Sequence, residues 1–253
     1  MKKNSIRQPF RTLLPIGVWV LIWQLSAIAV NKVLLIPRPW EVFVSLGRLA
    51  STAIFWKTAG MTLLRIIIGT VAGTVLGCIF AVLTKCSEIA DAVLSPVIRL
   101  VRATPVASFI ILILLWVAKT KVPAVVSCLV VIPVIWENVC AGIDSTDPLL
   151  LEMAQAYSFG RMKIWRYIYV PSVKPHLMSG ISNALGLAWK SGVAAEVLCA
   201  PKLAIGTQIY NSKLYLETPE LFAWTIVVII LSMIFEKFIK RLIKGKGVIG
   251  TKA

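Results

Sequence analysis

Long apolar stretches, separated by short polar and basic segments, dominate this chain. Residues 12–31 and 66–84 carry no charged side chain. Each is long enough to cross a hydrocarbon core of ~30 Å at a helical rise of ~1.5 Å per residue. The pattern predicts an all-α integral membrane protein with six transmembrane helices, at residues 13–30, 59–84, 92–118, 122–143, 176–200 and 221–239. Charges and prolines limit the membrane part of the third span to 104–118.

Basic residues indicate how these spans are oriented. Seventeen of the 27 Lys and Arg residues fall in the segments that lie inside if both termini are cytoplasmic, and eight fall in the outer segments. Because cytoplasmic segments carry the excess of Lys and Arg, we expect an N-in, C-in arrangement. Prolines in the third and fourth spans predict kinks there, since proline removes a helix hydrogen bond.

The chain is predicted to form a single transmembrane domain over residues 1–253. Within it we expect a cytoplasmic N-terminus at 1–12, a long cytoplasmic connection at 144–174 and a basic C-terminal tail at 244–253. The first apolar segment is longer than the core of a usual signal peptide, and we interpret it as a retained anchor.

Composition supports a membrane protein over other classes. Hydrophobic residues make up 58% of the chain, well above the usual half. The formal net charge of +16 does not indicate nucleic-acid binding, because the basic residues cluster at the ends of spans and no recognition motif accompanies them. Five cysteines without a CxxC pair, and His176 as the only histidine, favour buried apolar roles over a metal site.

Three glycines recur at intervals of four in the second span, at Gly69, Gly73 and Gly77. Glycines at this spacing share one helix face and allow another backbone to approach closely. We therefore expect tight helix packing, either within the chain or against a second copy.

The connection at 144–174 carries the pattern of two short helices. Asp147 and Pro148 provide an N-cap and a first-turn proline for a helix at 149–157. Residues 158–160 predict a break, and 161–170 predict a second, basic and aromatic helix. Pro171 and Pro175 are expected to restart the chain into the fifth span.

This connection resembles the EAA loop of binding-protein-dependent ABC importers. The resemblance rests on Glu152-Met153-Ala154, followed by Ile168 and Pro171 at the family's spacing. Other fragments are similar to the branch that handles sulfonates, taurine, nitrate, bicarbonate and thiamine precursors: Pro37-x-Pro39, Thr62-Leu63-x-Arg65, Arg102-Ala103-Thr104-Pro105, and Ala188-Trp189 through Ala195-Glu196. Together they cover nearly the whole chain.

Two departures from the family pattern fall in this loop. Met153 occupies a position that is usually alanine, and Ser158 replaces the glycine expected six residues after Glu152. A glycine follows two positions later, at Gly160. We expect the break between the two short helices to be shifted or differently angled.

The resemblance implies a transport subunit that is not itself an enzyme. It implies two copies of a separate ABC ATPase subunit carrying ATP and Mg²⁺, a second permease copy (identical or closely related), and an extracytoplasmic solute-binding protein. It also implies a multi-pass location in a bacterial plasma membrane, a small anionic or thiamine-precursor-like solute, and no cofactor bound by this chain. A secondary transporter or a channel without an ATPase partner is the alternative.

Charged residues inside the spans are candidates for function, because they are costly in hydrocarbon. Lys190 and its neighbour Trp189 are candidates for the translocation pathway, and Glu196 for an outer gate or docking contact. A structural lysine bonded to helix carbonyls or to a second subunit is the rival interpretation of Lys190. Arg65 is expected to extend outward to the membrane surface, and Glu137 to lie near the cytoplasmic rim.

Overall fold

The computed structural model describes residues 7–245, so the predicted cytoplasmic N-terminus and basic tail lie partly outside the described residues. Within 7–245 the chain is helical and contains no strand, which confirms the predicted all-α class. The α-helices are, in chain order, α1 (Arg7–Val30), α2 (Pro39–Ala50), α3 (Ala53–Cys86), α4 (Glu88–Ala103), α5 (Val106–Ile113), α6 (Val122–Asp144), α7 (Pro148–Ala156), α8 (Arg161–Ile164), α9 (Val170–Cys199), α10 (Ile205–Leu214) and α11 (Thr218–Gly245). A π-helical turn at Trp165–Tyr169 joins α8 to α9.

Three of these helices are long and apolar enough to cross a membrane: α3, α6 and α11. The pair α4 and α5 counts as a fourth span if it is taken as one broken helix. The apolar part of α1, Gly17–Val30, is shorter, and α9 is long but more polar. All six predicted spans therefore fall on helices, while a count of six crossings stays a prediction.

The third predicted span is not one helix. It divides at Thr104 and Pro105, and α5 is bent by 106° from α4. The residue before a proline is disfavoured in the helical region, and Thr104 accordingly adopts an extended conformation (φ −80°, ψ 134°). Pro133 lies inside α6 without ending it, so only one of the expected proline effects becomes a break.

Two helices, α2 and α10, form where the pattern predicted only connections. Pro39 begins α2, and the Arg38 amide donates to the Glu41 carboxylate at 2.9 Å, which caps the first turn. Arg48 near the end of α2 pairs with Glu220 of α11. Helix α10 packs against α9 and α11.

The core lies where α3, α6 and α9 meet. Gly69, Gly73 and Gly77 face α6 so closely that a Cβ on Gly73 would lie 2.6 Å from the Cys128 carbonyl oxygen. The glycine face of α3 is thus used within the chain. Helix α9 packs on α6 in turn, and the Ser127 hydroxyl of α6 donates to the Ala188 carbonyl of α9 at 3.1 Å.

Candidate functional site

The connection between α6 and α9 begins as the sequence predicts. The Asp147 carboxylate accepts a hydrogen bond from the Leu149 amide at 2.9 Å, and Pro148 occupies the first turn of α7. A short carboxylate side chain at this position satisfies an amide that has no partner inside the helix. The N-terminus of α7 is therefore fixed by its own sequence.

The departure from the family pattern led us to expect a break after α7 that is shifted or differently angled. The structure places the break at Ser158 and not at Gly160. Ser158 itself takes the left-handed conformation (φ 53°), and the Phe159 amide donates to the Ala154 carbonyl at 2.8 Å. The Ser158 amide donates to the Gln155 carbonyl at 2.9 Å, which completes a Schellman motif. Gly160 is extended (φ −67°, ψ 154°). Serine therefore occupies the glycine position at the cost of some strain.

The second short helix is not a separate element. α8 runs through the π-helical turn into α9, and Pro171 and Pro175 lie inside the continuous helix. The Val170 amide donates to the Trp165 carbonyl five residues earlier, and such wider turns occur at functional positions. Pro171 lies in the first turn of α9, where a restart was predicted, but the π-helical turn joins this turn to α8 without a break, and Pro175 lies inside α9.

Apolar side chains are exposed along this connection. Leu149, Met153 and Tyr157 are 69%, 48% and 74% exposed, and Glu152 lies exposed beside them. Ala154 of α7 is fully buried, and Ile168 is only 6% exposed. Contiguous exposed apolar side chains on an otherwise polar connection are typical of a protein contact surface.

The base of the connection is tied to three helices. Lys85 at the end of α3 pairs with Asp144 at the end of α6 (2.6 Å). Ser145 and the Nε2 of His176 in α9 lie 3.2 Å apart. A Cβ on Gly142 would lie 2.9 Å from the Val173 Cα, so α6 and α9 are in backbone contact there. Movement of the connection is therefore shared with α3, α6 and α9.

The sequence suggested that Arg65 extends outward to the membrane surface, and the structure shows instead that it is buried. Its guanidinium is buried and lies 3.2 Å from the carboxylate of Glu196. It also donates to the carbonyls of Lys202 and Leu203 at 2.9 and 3.0 Å. The physical reason is that the loop after α9 brings buried acceptors to the guanidinium, so its charge is satisfied inside the protein.

Glu196 accepts further hydrogen bonds from groups on two other elements. The Thr62 hydroxyl donates to it at 2.9 Å and the Gly206 amide at 3.2 Å. A Cβ on Gly206 would lie 2.5 Å from the Glu196 Cβ, so a glycine is required for this approach. Thr62, Arg65, Glu196 and Gly206 together form what we call the Arg65 cluster, which joins α3, α9 and α10.

Trp189 and Lys190 lie on different sides of α9. Trp189 is 2% exposed, and its ring centroid lies 6.0 Å from that of Phe235 in α11. Its indole N–H has no hydrogen-bond partner within residues 7–245. Lys190 is exposed on the face of α9 that also carries Asn183, Leu187, Ala194 and Leu198. The neighbours in sequence thus belong to the core and to an open helix face respectively.

The ion pair between α4 and α6 was also not foreseen from the sequence. Arg102 at the end of α4 lies 2.6 Å from Glu137 of α6. The sequence did contain a signal, because both residues were predicted near the inner ends of their spans and hence at similar depth. No group of three or more His, Cys, Asp and Glu side chains in the described part of the chain could hold a metal ion.

Comparison with known proteins places the chain in a family. The sequence model of the family described as "Binding-protein-dependent transport system inner membrane component" matches residues 73–245. The taurine transport system permease protein of Escherichia coli (strain K12) is 23% identical over 226 residues, covering 87% of this chain and 80% of that protein. The nitrate import permease protein of Leptolyngbya laminosa is 22% identical over 202 residues, covering 78% and 71%.

A solved structure shares the fold. A bacterial ABC transporter involved in the import of the acidic polysaccharide alginate superposes with a TM-score of 0.65 at 17% identity, covering 94% of this chain and 95% of that one. The family model spans well over half of the sequence, including the α6–α9 connection and the Glu196 side of the Arg65 cluster. The chain therefore belongs to the family of binding-protein-dependent transport system inner membrane components, the permease subunits of ABC importers.

Proposed function

We propose that this chain forms the translocation pathway for a small solute as one of two permease copies, identical or closely related. Two ATPase subunits would bind at the cytoplasmic face, and an extracytoplasmic binding protein would deliver the solute. As a family member the chain is a transport subunit, and ATP hydrolysis belongs to a separate chain. The solute is a small organic or inorganic anion or a thiamine-precursor-like compound, a range that the relatives named for taurine and nitrate support.

The proposed topology has six crossings with both termini inside a bacterial plasma membrane. The crossing elements are α1, α3, the broken pair α4 and α5, α6, α9 and α11. The excess of basic residues on one side supports this orientation. It puts the α6–α9 connection in the cytoplasm and the Arg65 cluster about 30 Å away along α3, close to the outer face.

The observation that carries the proposal is the exposed apolar surface of α7, together with the contacts that join the base of the connection to α3, α6 and α9. In our proposal the coupling loop comprises Glu152, Met153, Ala154, Ser158, Gly160, Ile168 and Pro171, and α7 seats in a groove of the ATPase. Side chains such as Leu149 and Met153 would be covered there. Because the Lys85–Asp144 pair joins the base of the loop to α3 and α6, closure of the ATPases would move several spans together.

The proposed pathway follows the open face of α9 that carries Lys190. Its ammonium would favour an anionic solute. A charged side chain in a span is costly, and such residues are therefore usually functional. Trp189 and Glu196 lie behind this face. We propose that they hold the outer end of α9, the candidate outer gate, in position rather than contact the solute. The Arg65 cluster would then fix the outer end of α9.

The direct test is copurification of the chain with its ATPase, followed by reconstitution into vesicles with its binding protein. Uptake against a gradient should require ATP and the binding protein, and solute-loaded binding protein should raise ATP hydrolysis. Uphill uptake by the chain alone would refute the proposal in favour of a secondary transporter. Uptake that only follows the gradient would favour a channel.

A further inference from the structure

A pocket opens where the third span breaks. It lies between the α4–α5 break, α6 and α9, and has a volume of about 390 Å³. Ligand pockets in proteins commonly fall between ~300 and ~1,000 Å³, so the space suits a small molecule. Apolar side chains such as Phe109 and Leu187 form much of its wall. The pocket has few polar side chains, and two of them carry opposite charges.

The charged groups in this pocket are Arg102 and Glu137, whose side-chain nitrogen and oxygen lie 2.6 Å apart. They are 63% and 52% exposed, so a molecule in the pocket can reach both. Asn138 donates to the Val134 carbonyl of its own helix at 2.8 Å, which leaves its amide oxygen available. Asn183 of α9 makes no side-chain hydrogen bond within residues 7–245, so both of its polar atoms are available.

The ion pair restricts the charge of a ligand. A simple anion that binds Arg102 must displace Glu137 or share the guanidinium with it. The Glu137 carboxylate would then lose its partner and lie beside the bound anion, and like charges at such short distances repel each other. A ligand that carries both signs avoids this cost, because its anionic group pairs with Arg102 while its cationic group pairs with Glu137.

The break in the third span favours one direction for such a ligand. The first amides of α5, after Pro105, have no carbonyl partner inside their own helix, and this end of a helix attracts negative charge. Arg102 lies three residues before Pro105, in the last turn of α4, and lines the same pocket. A guanidinium also matches a sulfonate, carboxylate or phosphonate group through two parallel hydrogen bonds. The anionic end therefore belongs at the break.

We propose that this pocket is a solute subsite for a small zwitterion, with the anionic group on Arg102 and the amine on Glu137. The inference rests on the proposed function, and narrows its solute from small anions in general to compounds bearing an amine two or three bonds from an acid group. The neutral amides of Asn138 and Asn183 would donate to oxygens of the acid group or accept from the amine. Each protomer would hold one such molecule.

The test measures binding to the complex of permease and ATPase in lipid nanodiscs, without binding protein, so that specificity of the delivery protein does not enter. Three pairs of probes differ only in the amine: taurine and ethanesulfonate, β-alanine and propionate, 2-aminoethylphosphonate and ethylphosphonate. We expect at least one amine-bearing probe to bind about tenfold or more tightly than its partner. Equal binding within all three pairs, or no binding by any probe, would overturn the inference.

Variants assign the effect to the ion pair. Glu137→Gln should remove the preference for the amine, and Arg102→Gln should abolish binding of both members of a pair. The exchanged double variant R102E/E137R restores the pair and should keep the preference. The control is Arg99→Gln, an exposed arginine one turn earlier on α4 that does not line the pocket. The same loss in Arg99→Gln, or an unchanged preference in Glu137→Gln, would count against the site.

Failure of this inference is distinguishable from failure of the proposed function. The same nanodiscs report ATP hydrolysis and its stimulation by loaded binding protein. If stimulation is intact while no amine preference is found, the importer function stands and the zwitterion subsite is wrong. If the chain does not associate with an ATPase at all, the proposed function is wrong.

Discussion

Arg65 and Glu196, 131 positions apart in the sequence, form an ion pair in the protein interior, with Arg65 Nη1 3.2 Å from Glu196 Oε1. Their side chains are 9% and 0% exposed. Because Arg65 also binds two carbonyls of the loop after α9, one arginine joins α3 to both α9 and the segment leading to α10. Removing either partner leaves a buried charge without compensation.

Glu196→Ala should lower the free energy of unfolding by about 3–5 kcal/mol, the usual cost of breaking a buried ion pair by removing one partner. The measurement is reversible unfolding in mixed micelles. The control is Glu236→Gln, which removes the partner of Lys240 in an exposed pair and should cost less than about 1 kcal/mol. Equal effects of the two substitutions would contradict the structural role of the Arg65 cluster.

Gly73→Ala should destabilise the protein by about 1–3 kcal/mol, because its Cβ would lie 2.6 Å from a backbone oxygen of α6 that cannot move alone. Gly60→Ala in the same helix is the matched control, since nothing lies within 4 Å of its Cβ. It should be neutral or stabilising by up to about 1 kcal/mol. The measurement is the thermal unfolding temperature of both variants in detergent. An unchanged unfolding temperature for Gly73→Ala would show that α3 and α6 are not in backbone contact at Gly73.

Ser158→Gly should stabilise the α6–α9 connection by about 1 kcal/mol, since glycine adopts the left-handed conformation without the cost borne by serine. Limited proteolysis of the connection in native conditions should slow correspondingly. Gly160→Ala should change the rate little, because Gly160 is extended and has open space around it. A larger change in proteolysis rate for Gly160→Ala than for Ser158→Gly would indicate that the break lies at Gly160.

Met153→Asp should weaken association with the ATPase by about tenfold or more, because it would bury an unpaired charge in an apolar contact. Copurification and binding-protein-stimulated ATP hydrolysis both measure this. Leu216→Asp places the same change on an exposed leucine outside the α6–α9 connection and should leave both unaltered. If Met153→Asp copurifies normally, α7 is not the contact.

Lys190→Gln should reduce uptake by about tenfold while assembly and ATP hydrolysis continue, if its ammonium attracts an anionic group in the pathway. Lys213→Gln, on α10, serves as a matched loss of charge away from α9. Unchanged uptake with Lys190→Gln would assign that lysine a structural role, the rival interpretation from the sequence. The comparison uses the same vesicles for uptake and hydrolysis.

Local features of the fold were predictable from the sequence. Continuous apolar runs located α3, α6 and α11, because hydrocarbon length and helical rise leave little choice. The start of α7 was predictable because Asp147 and Pro148 act on their immediate neighbours. The replacement of the family's glycine by Ser158 was visible in the sequence, but the position of the break was not, because backbone hydrogen bonds of the Schellman motif hold Ser158 in the left-handed conformation.

The long-range features could not be predicted in the same way. Proline alone did not show which helix would break, because Pro105 ends α4 whereas Pro133 stays within α6. The sequence placed Arg65 near the outer end of its predicted span, but such a position does not identify a partner that lies far along the chain. The partnership with Glu196 therefore required the structure.

The unbroken run from α8 through the π-helical turn to the end of α9 has a mechanical consequence. It covers residues 161–199, about 58 Å at the helical rise, and reaches from the α6–α9 connection to Glu196 in the Arg65 cluster. A tilt of only ~10° at one end would displace the other by about 10 Å over that length. If an ATPase binds the α6–α9 connection as we propose, its closure would move the Arg65 cluster directly through this one helix, with no intermediate element.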